Sequence, residues 1–278
     1  MLHNTKTLEG YALRACDGDI GHVKDFYFDD HDWHVRYFVV DTGSWLTGRR
    51  VLISPEAVNG QLWADRVIPV DLSQEQVRNS PSVDTAKPVS RQHEMELRHY
   101  YGWPPYWGVV FPEAAMSPPS PVAPLDAPTQ RYARPTEQSK HAAGTGEHES
   151  SGDSHLRSTG EVNQYHVEAT DGAIGHVDDF LIDDDGWRIR YLVIDTRNWW
   201  PGKKVIVAPG WIREVNWAES KVFVGLTRAT IKGCPEYDPS KPVTAEYAGR
   251  LHDYYGRPRY PDWDPDHKSA ESRRNFGP

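Results

Sequence analysis

The chain has 278 residues, a net charge of −9 at pH 7 and 38% hydrophobic residues. This length allows two ordinary domains, and no stretch reaches the ~18 consecutive apolar residues that a transmembrane helix needs. The acidic charge argues against nucleic acid as a partner, because that affinity comes mainly from basic residues that neutralise phosphates. The start of the chain lacks a signal-peptide pattern and only two cysteines are present, so we predict a soluble, cytoplasmic protein.

A long internal repeat organises the chain. Residues 17–42, DGDIGHVKDFYFDDHDWHVRYFVVDT, return as DGAIGHVDDFLIDDDGWRIRYLVIDT at residues 171–196. The offset is 154 residues, and it holds without a gap for residues 2–104. This period is far longer than the ~20–50 residues of solenoid repeats. The sequence therefore predicts two duplicated domains.

Each copy begins with short strands. In WHVRYFVVD (residues 33–41), alternate side chains from Trp33 to Val39 share one face. The opposite face begins with polar residues and becomes apolar at Phe38, which predicts a strand that runs from an exposed edge into a covered region. Turn sequences rich in Gly and Asp separate this strand from similar short ones. Together they predict a small antiparallel β-barrel in each copy.

Helical segments follow the strands. Ser73 with Gln76 predicts a capping box on a short helix. Ser90 is the predicted N-cap of a second helix, which ends at Gly102, and the second copy has equivalent residues. The predicted fold class is mainly β: two small antiparallel barrels, each followed by a short helical appendage, joined by a disordered linker.

Composition sets the predicted domain boundaries. Residues 111–155 are rich in Pro, Ser and Ala and lack apolar periodicity, so they cannot bury enough surface to offset their ordering entropy. We predict a disordered linker there. Residues 1–110 are predicted as the first barrel with its C-terminal helix, 156–263 as the second, and 264–278 as a flexible tail.

Acidic residues are dense around the predicted turns and raise the question of a cation site. Asp183, Asp185 and Gly186 fit the middle of a calcium-binding EF-hand loop. The match fails because Leu181 stands at the first ligand position and Trp187 follows the glycine directly. Asp and Gly are also the residues that hairpin turns require. We therefore predict turns and no metal.

No constellation of catalytic residues is visible. His22 and His176 recur in the two copies, but no Cys or His lies at metal-ligand spacing from them, and we interpret them as half-exposed strand residues. A nucleophile elbow, a phosphate-binding loop and the dinucleotide-binding glycine motif are all missing from the sequence. The prediction is that the protein is not an enzyme and uses no cofactor.

Aromatic and arginine residues cluster after each predicted helix and in Gly-bearing loops. These residue types dominate the binding energy of protein interfaces. The sequence leaves two interpretations open: they bind a protein partner, or they serve the fold, either by folding back over the barrel mouths or by forming the contact between the two copies. The candidate residues are Trp45, Tyr100, Tyr101, Trp103, Tyr106, Trp107, Trp199, Trp200, Tyr254, Tyr255, Arg257 and Arg259.

The pattern DGDIGHVKDFYFDD–W–VRYFVVDTG–W–GRRVLISP and its partner resemble the PRC-barrel domain over about residues 5–75 and 159–229. The most specific features are the Gly–x–x–Gly turn at Gly18 and Gly21 and the VRY strand. The cytoplasmic part of the photosynthetic reaction-centre H subunit and the C-terminal domain of a ribosome maturation factor share this fold. The whole layout resembles bacterial tandem PRC-barrel proteins. The resemblance implies a small β-barrel used for protein binding or assembly, without catalytic residues.

Three hypotheses on function follow. The first is a soluble scaffold or adaptor that binds a protein partner through its aromatic loops. The second is an accessory of a photosynthetic or electron-transfer complex, in which Asp25, His22, His176 and Asp178 relay protons, since histidine titrates near neutral pH. The third is an RNA-processing factor in ribosome assembly, which the negative charge disfavours.

Overall fold

A computed structural model describes part of the chain, and several predicted features fall outside it. Nearly all of the predicted linker at 111–155, the predicted tail at 264–278, and Trp199 and Trp200 lie outside the described residues. In the described part, no helix is long and apolar enough to cross a membrane. The structure describes residues 1–60, 65–82, 89–107, 155–196 and 203–260.

Strands outnumber helices in these residues, which confirms the mainly β class. The first copy comprises residues 1–107 and the second copy residues 155–260. The strands are β1 Leu2–Asn4, β2 Ala12–Ala15, β3 Gly18–Asp29, β4 Val35–Asp41, β5 Arg50–Ile53, β6 Val67–Pro69, β7 Leu156–Ser158, β8 His166–Ala169, β9 Gly172–Asp183, β10 Ile189–Asp195, β11 Lys204–Val207, β12 Ile212–Asn216 and β13 Lys221–Val224. The helices are α1 Thr5–Leu8, α2 Gln74–Asn79, α3 Arg91–Tyr101, α4 Thr159–Val162, α5 Arg228–Gly233 and α6 Ala245–Tyr255.

The strands form two sheets, one centred on each copy. Their orders are β5-β4-β3-β2-β6 and β11-β10-β9-β8-β13-β12, and neighbours are antiparallel except for the parallel pairs β2–β6 and β8–β13. The prediction of two closed barrels is wrong, because the outer strands of each sheet do not pair with each other within the described residues. A 3₁₀ turn that starts with a proline, Pro55–Ala57 in the first copy, follows β5. It directs the chain away from the strand pairing of the sheet.

Each copy receives a strand from the other. β1 of the first copy pairs with β9 of the second, with Leu2 opposite Asp183. β7 of the second copy pairs with β3 of the first, with Leu156 opposite Asp29. The two pairings are equivalent under the 154-residue offset. The copies are therefore interlocked by a reciprocal exchange, as across a two-fold interface.

The aromatic core crosses from one copy to the other. Phe28 stacks on Trp33, with ring centroids 5.3 Å apart, and also contacts Phe180 of the second copy at 5.9 Å. Phe38 meets Trp187 of the second copy edge to face at 4.8 Å. Aromatic pairs at these distances stabilise a core beyond the burial of their surface. The two sheets thus share one hydrophobic core.

Strand β4 is buried on both faces. Phe38 and Val40 belong to the shared core, whereas Tyr37 and Val39 pack with Leu97 of α3 in a second apolar cluster. The predicted change from polar to apolar along one face is confirmed, since the side chain of Arg36 near the start of the strand is partly exposed and Phe38 is fully buried. The alternation of polar and apolar residues in β4 does not predict that α3 covers the face with Tyr37 and Val39.

The predicted helix ends are confirmed. Ser73 and Gln76 form the capping box of α2. The Ser90 hydroxyl accepts a backbone N–H in the first turn of α3, and Gly102 ends that helix in a left-handed conformation with φ of 73°. The equivalent residues bound α6 in the same way. Each helix is thereby placed over the outer face of its own sheet.

Candidate functional site

The exchanged strand β1 is anchored by a buried aspartate in β9. The Asp179 carboxylate accepts hydrogen bonds from the Thr5 hydroxyl at 2.6 Å and the Asn4 amide at 2.9 Å. It also accepts the backbone N–H of Lys6 at 3.2 Å and that of Phe180 at 2.8 Å. Hydrogen bonds to a charged acceptor are stronger than neutral ones. Asp179 therefore fixes the end of β1 and the start of α1 to the second sheet.

Asp25 is the equivalent anchor in the first copy. Its carboxylate accepts hydrogen bonds from the hydroxyls of Ser158 and Thr159 and from the backbone N–H of Gly160, the last two at 2.9 Å. Neither anchoring role is predicted from the sequence. One signal in the sequence does point to this role. An aspartate recurs at this position in both copies, inside a strand and not in a turn.

Asp178, a candidate proton carrier in the photosynthetic hypothesis, lies between two lysines. Its carboxylate oxygens are 2.9 Å from Lys6 Nζ and 2.6 Å from Lys204 Nζ. Burial raises the pKa of Asp178, but hydrogen bonds from Lys204 and Lys6 outweigh this effect and lower it. Efficient proton carriers have a pKa near the working pH. This contact therefore does not support a relay at Asp178.

Aspartates at the ends of the long strands make the predicted turns. Asp29 Oδ1 accepts the backbone N–H of His31 at 2.9 Å, and Asp183 Oδ1 accepts that of Asp185 at 3.1 Å. These are local side-chain-to-backbone bonds of the kind that stabilise hairpin turns. Across the described ranges, no group of three or more His, Cys, Asp or Glu side chains is placed to hold a metal ion.

Several of the candidate aromatic residues of the first copy fold back onto it. The Trp45 indole N–H donates to the carbonyl oxygen of Ile20, and the Arg78 guanidinium lies 5.6 Å from its ring centroid. Tyr101 stacks on Trp103 with centroids 4.3 Å apart, and burial raises the pKa of Tyr101 to about 12. The structure thus places these three aromatic side chains against their own sheet and helices.

Tyr106 and Trp107 pack beside α3. The Tyr106 hydroxyl donates to Glu94 Oε2 at 2.8 Å, and the Arg36 guanidinium lies 3.8 Å from its ring centroid. Trp107 meets Tyr106 edge to face at 4.8 Å and carries the Arg91 guanidinium 4.5 Å from its ring. Such cation–π contacts are favourable when partly shielded from water. Tyr106 and Trp107 therefore cover the side of α3 that carries Arg91 and Glu94.

The second copy uses its candidates in two ways. Tyr255 is buried and tilts against Trp211 at 4.8 Å, and burial raises its pKa. Arg257 and Arg259 are exposed, and Arg259 forms a salt bridge of 2.6 Å with the exposed Asp253. An exposed salt bridge of this kind contributes little to stability, so both arginines remain accessible to a partner.

Two equivalent tyrosines stay at the surface. Tyr100 is 39% and Tyr254 is 43% exposed, and both are at the C-terminal ends of equivalent helices. Their hydroxyls donate to the backbone carbonyls of Gln76 and Thr230, each at 2.8 Å. Each exposed ring is therefore held in one orientation before any partner binds.

A cleft of about 380 Å³ opens between the copies. One wall comes from β4 and the 3₁₀ turn after β5, with His34, Arg36 and Glu56, and the other from the hairpin with Asp185 and Trp187 of the second copy. Charges of both signs line it. The cleft can accommodate a polar side chain or a small polar ligand.

Asp32 orients the charged groups at the edge of this cleft. It forms an ion pair with Arg36 and lies 3.1 Å from His34 Nδ1. Burial raises the pKa of Asp32, but its hydrogen bonds with His34 and the charge of Arg36 outweigh this effect and lower the pKa to about 2. The ion pair therefore holds the Arg36 side chain in position at all but strongly acidic pH.

We predict that Asp32→Asn lowers the free energy of unfolding by about 1 kcal/mol near neutral pH, a modest value because the pair is partly exposed. A depressed pKa contributes stability above the unfolded value of 3.8 that is lost as the pH falls towards about 2. The difference between wild type and variant should therefore shrink across this interval. Urea denaturation of both proteins over that pH range measures it, and a difference independent of pH would contradict the assignment.

A known protein family matches part of the first copy. A PRC-barrel domain is found at residues 4–76, where the chain matches the model of that family. The range includes the last residue of β1, all of β2 to β6 and the first residues of α2. The match does not cover the second copy, whose equivalence rests on the sequence offset and the repeated order of elements. No curated protein matches the chain.

Proposed function

We propose that this chain, with a PRC-barrel domain at residues 4–76, is a non-catalytic scaffold that binds a protein partner through one equivalent surface on each copy. The second copy is, in this proposal, a second domain of the same type. The observation that carries the proposal is the pair Tyr100 and Tyr254, which keep the same exposure and the same hydrogen bond in both copies.

The tyrosine pair has the properties of interface anchors. Tyrosine is enriched in binding hot spots because it offers a large amphipathic ring with few rotatable bonds. The hydroxyl bonds to Gln76 and Thr230 already restrict each ring, so little further side-chain entropy is lost on binding. A tyrosine needed only for folding would be expected to lie deeper, as the neighbouring Tyr101 and Tyr255 do.

The surroundings of the two rings differ in charge. Near Tyr254, α6 and the loop after it expose Arg250, Arg257 and Arg259, whereas the residue equivalent to Arg250 in the first copy is Glu96. Complementary charge steers association and selects partners. The second surface therefore suits an acidic segment of the partner, and the two surfaces need not bind identical sequences.

The proposal is tested by affinity capture with the full chain from lysate of its native host, followed by quantitative mass spectrometry. We expect Tyr100→Ser combined with Tyr254→Ser to reduce recovery of the specific partner at least about tenfold, as for hot-spot truncation. Each substitution also removes a hydroxyl bond to a backbone carbonyl and should lower the free energy of unfolding by about 1 kcal/mol, so both proteins are first shown to be folded. Met95→Ala is the matched control, since Met95 is 56% exposed on the same helix as Tyr100. Equal recovery with the double variant would refute the proposal.

The same experiment separates the alternative hypotheses. Recovery of a pigment–protein complex would favour the photosynthetic accessory. Recovery of RNA with a steep dependence on salt would favour a role in ribosome assembly. In either case the tyrosine variants would leave recovery unchanged if binding used another surface.

A further inference from the structure

A buried contact between a carboxylate and a histidine ring joins the two copies at one end of the shared structure. Glu94 in α3 is fully buried, and its Oε1 lies 2.6 Å from Nε2 of His155, which is itself 9% exposed. His155 directly precedes β7, the strand that the second copy contributes to the first sheet. The second carboxylate oxygen of Glu94 accepts the Tyr106 hydroxyl at 2.8 Å. The Glu94–His155 pair therefore lies at the point where β7 joins the first sheet.

The equivalent position at the other junction has no such pair. Under the 154-residue offset, Glu94 corresponds to Ala248 and His155 to Met1. Ala248 is buried, and the amino group of Met1 pairs instead with Asp184. A cavity of about 90 Å³ lined by Ala248 and His252 lies in this part of the second copy. The duplication has thus diverged here from a symmetric junction.

Several other polar contacts between the copies do not distinguish one copy from the other. Asp25 and Asp179 each accept a threonine hydroxyl from the opposite copy. The acidic residue at position 30 or 184 meets a basic side chain in both junctions, since Arg157 pairs with Asp30 and the His3 ring lies 3.8 Å from Asp184. If two identical copies were paired, these contacts would keep donors opposite acceptors.

The Glu94 junction changes when identical copies are paired, and the pair of Lys6 and Asp178 changes with it, since their equivalents are Gly160 and Lys24. The Lys6 side chain is 44% exposed, so the buried Glu94 junction carries the larger penalty.

Between two first copies, the buried Glu94 would face Met1 and lose its closest partner, the His155 ring. Arg91 would remain, but its Nη1 is 3.5 Å away and its side chain is 36% exposed. Between two second copies, His155 would face the methyl group of Ala248. Burying an ionisable group without its partner is strongly unfavourable.

We propose that Glu94 and His155 are the buried specificity-determining pair through which the first copy selects the second copy, rather than another first copy, as its partner across the exchanged strands. The surface that receives β7 fits a copy of this domain with histidine at the position of His155. The first copy selects the second copy because the Glu94–His155 contact is favourable and because pairing between identical copies is unfavourable, as in other specific interfaces.

The test cuts the peptide chain between the copies, so that only their interface can hold them together. A protease site is inserted within residues 108–154, the full chain is purified, and the site is then cut. Isotope-labelled and unlabelled cut proteins are mixed, and native mass spectrometry counts the pairs at equilibrium. We expect pairs of one first and one second copy to exceed pairs of identical copies by at least about tenfold. A random distribution of pairs, or pieces that separate as monomers, would overturn the proposal.

Variants then assign the selectivity to the pair. Glu94→Ala and His155→Met introduce the residues of the opposite copy, and each should lower the ratio of mixed to identical pairs by about tenfold or more. Glu94→Gln keeps the shape but removes the charge, and should lower the ratio by a smaller factor even if Glu94→Ala fails to fold. Glu96→Ala, at an exposed position of the same helix, should leave it unchanged. An unchanged ratio in Glu94→Gln and His155→Met would refute the assignment.

Discussion

Replacing Gly175 with alanine is expected to lower the free energy of unfolding by about 3 kcal/mol. A Cβ at this position would lie 2.0 Å from the carbonyl oxygen of Asp195 and 2.9 Å from its carbon. The φ of 151° is also one that residues with a side chain rarely adopt. Since Asp195 lies in β10, which is paired on both sides, the neighbouring backbone cannot retreat without loss of ladder hydrogen bonds.

The chain provides both a replicate and a control for this prediction. Gly21 is the equivalent residue, where a Cβ would lie 2.1 Å from the carbonyl oxygen of Asp41, so Gly21→Ala should cost a similar amount. Gly210 has no heavy atom within 4 Å of such a Cβ and an ordinary φ. Gly210→Ala should change stability by no more than about 0.5 kcal/mol. Urea denaturation measures all three, and equal stabilities would contradict the close strand approach.

Asp179→Ala is expected to cost about 3 kcal/mol, because it leaves several donors at the junction without their acceptor. The carboxylate accepts the Thr5 hydroxyl at 2.6 Å, and the buried hydroxyl would have no replacement acceptor in the alanine side chain. Asp179→Asn should cost less, since its carbonyl oxygen still accepts. The loss should include detachment of β1, visible as faster amide hydrogen exchange at Asn4 and at Leu181 opposite it.

The equivalent variant Asp25→Ala should act in the same way on β7 and α4. Asp71→Ala is the control, because the Asp71 side chain is exposed on a loop. Denaturation gives the energies, and hydrogen exchange shows which strand is released. If Asp179→Ala were no less stable than Asp71→Ala, the exchanged strands would be held by the shared apolar core rather than by the aspartates.

The reciprocal exchange bears on the proposed function. Tyr100 and Tyr254 are carried by helices on the outer faces of two sheets that share one core. The two surfaces are therefore presented together, and a partner that contacts both gains from the high effective concentration of the second contact. For the proposed scaffold, we expect a change at the junction, for example at Asp25, to weaken binding of the proposed partner without altering either tyrosine.

The features predicted correctly from sequence are those decided by local interactions. Ser73, Ser90 and Gly102 mark helix ends because caps and left-handed termini involve residues three or four positions apart. Asp183 is predicted in a turn for the same reason, since its partner lies two residues away, and Asp29 makes the equivalent turn in the first copy. The repeat itself was visible as a constant offset.

The features that escaped prediction depend on partners far along the chain. Asp25 binds residues more than 130 positions away, and nothing in its own segment indicates that. The sequence does not predict whether Tyr101, Trp103 and Tyr106 pack against the first copy, because an aromatic cluster has the same sequence pattern whether it faces a partner or its own helix. The barrels were predicted to close, but alternation reports only which side chains share a face, not which strands end beside each other.

The sequence by itself determined the alternation along β4, the helix caps, the turns and the repeat, because each is encoded in residues that are near neighbours or recur at a constant spacing. The tertiary structure alone decided that the copies exchange β1 and β7, share one core and bury Glu94 against His155. These arrangements bring together segments that are distant in sequence. Their free energy depends on which surfaces and charges become buried together, a property of the packed chain rather than of any local pattern.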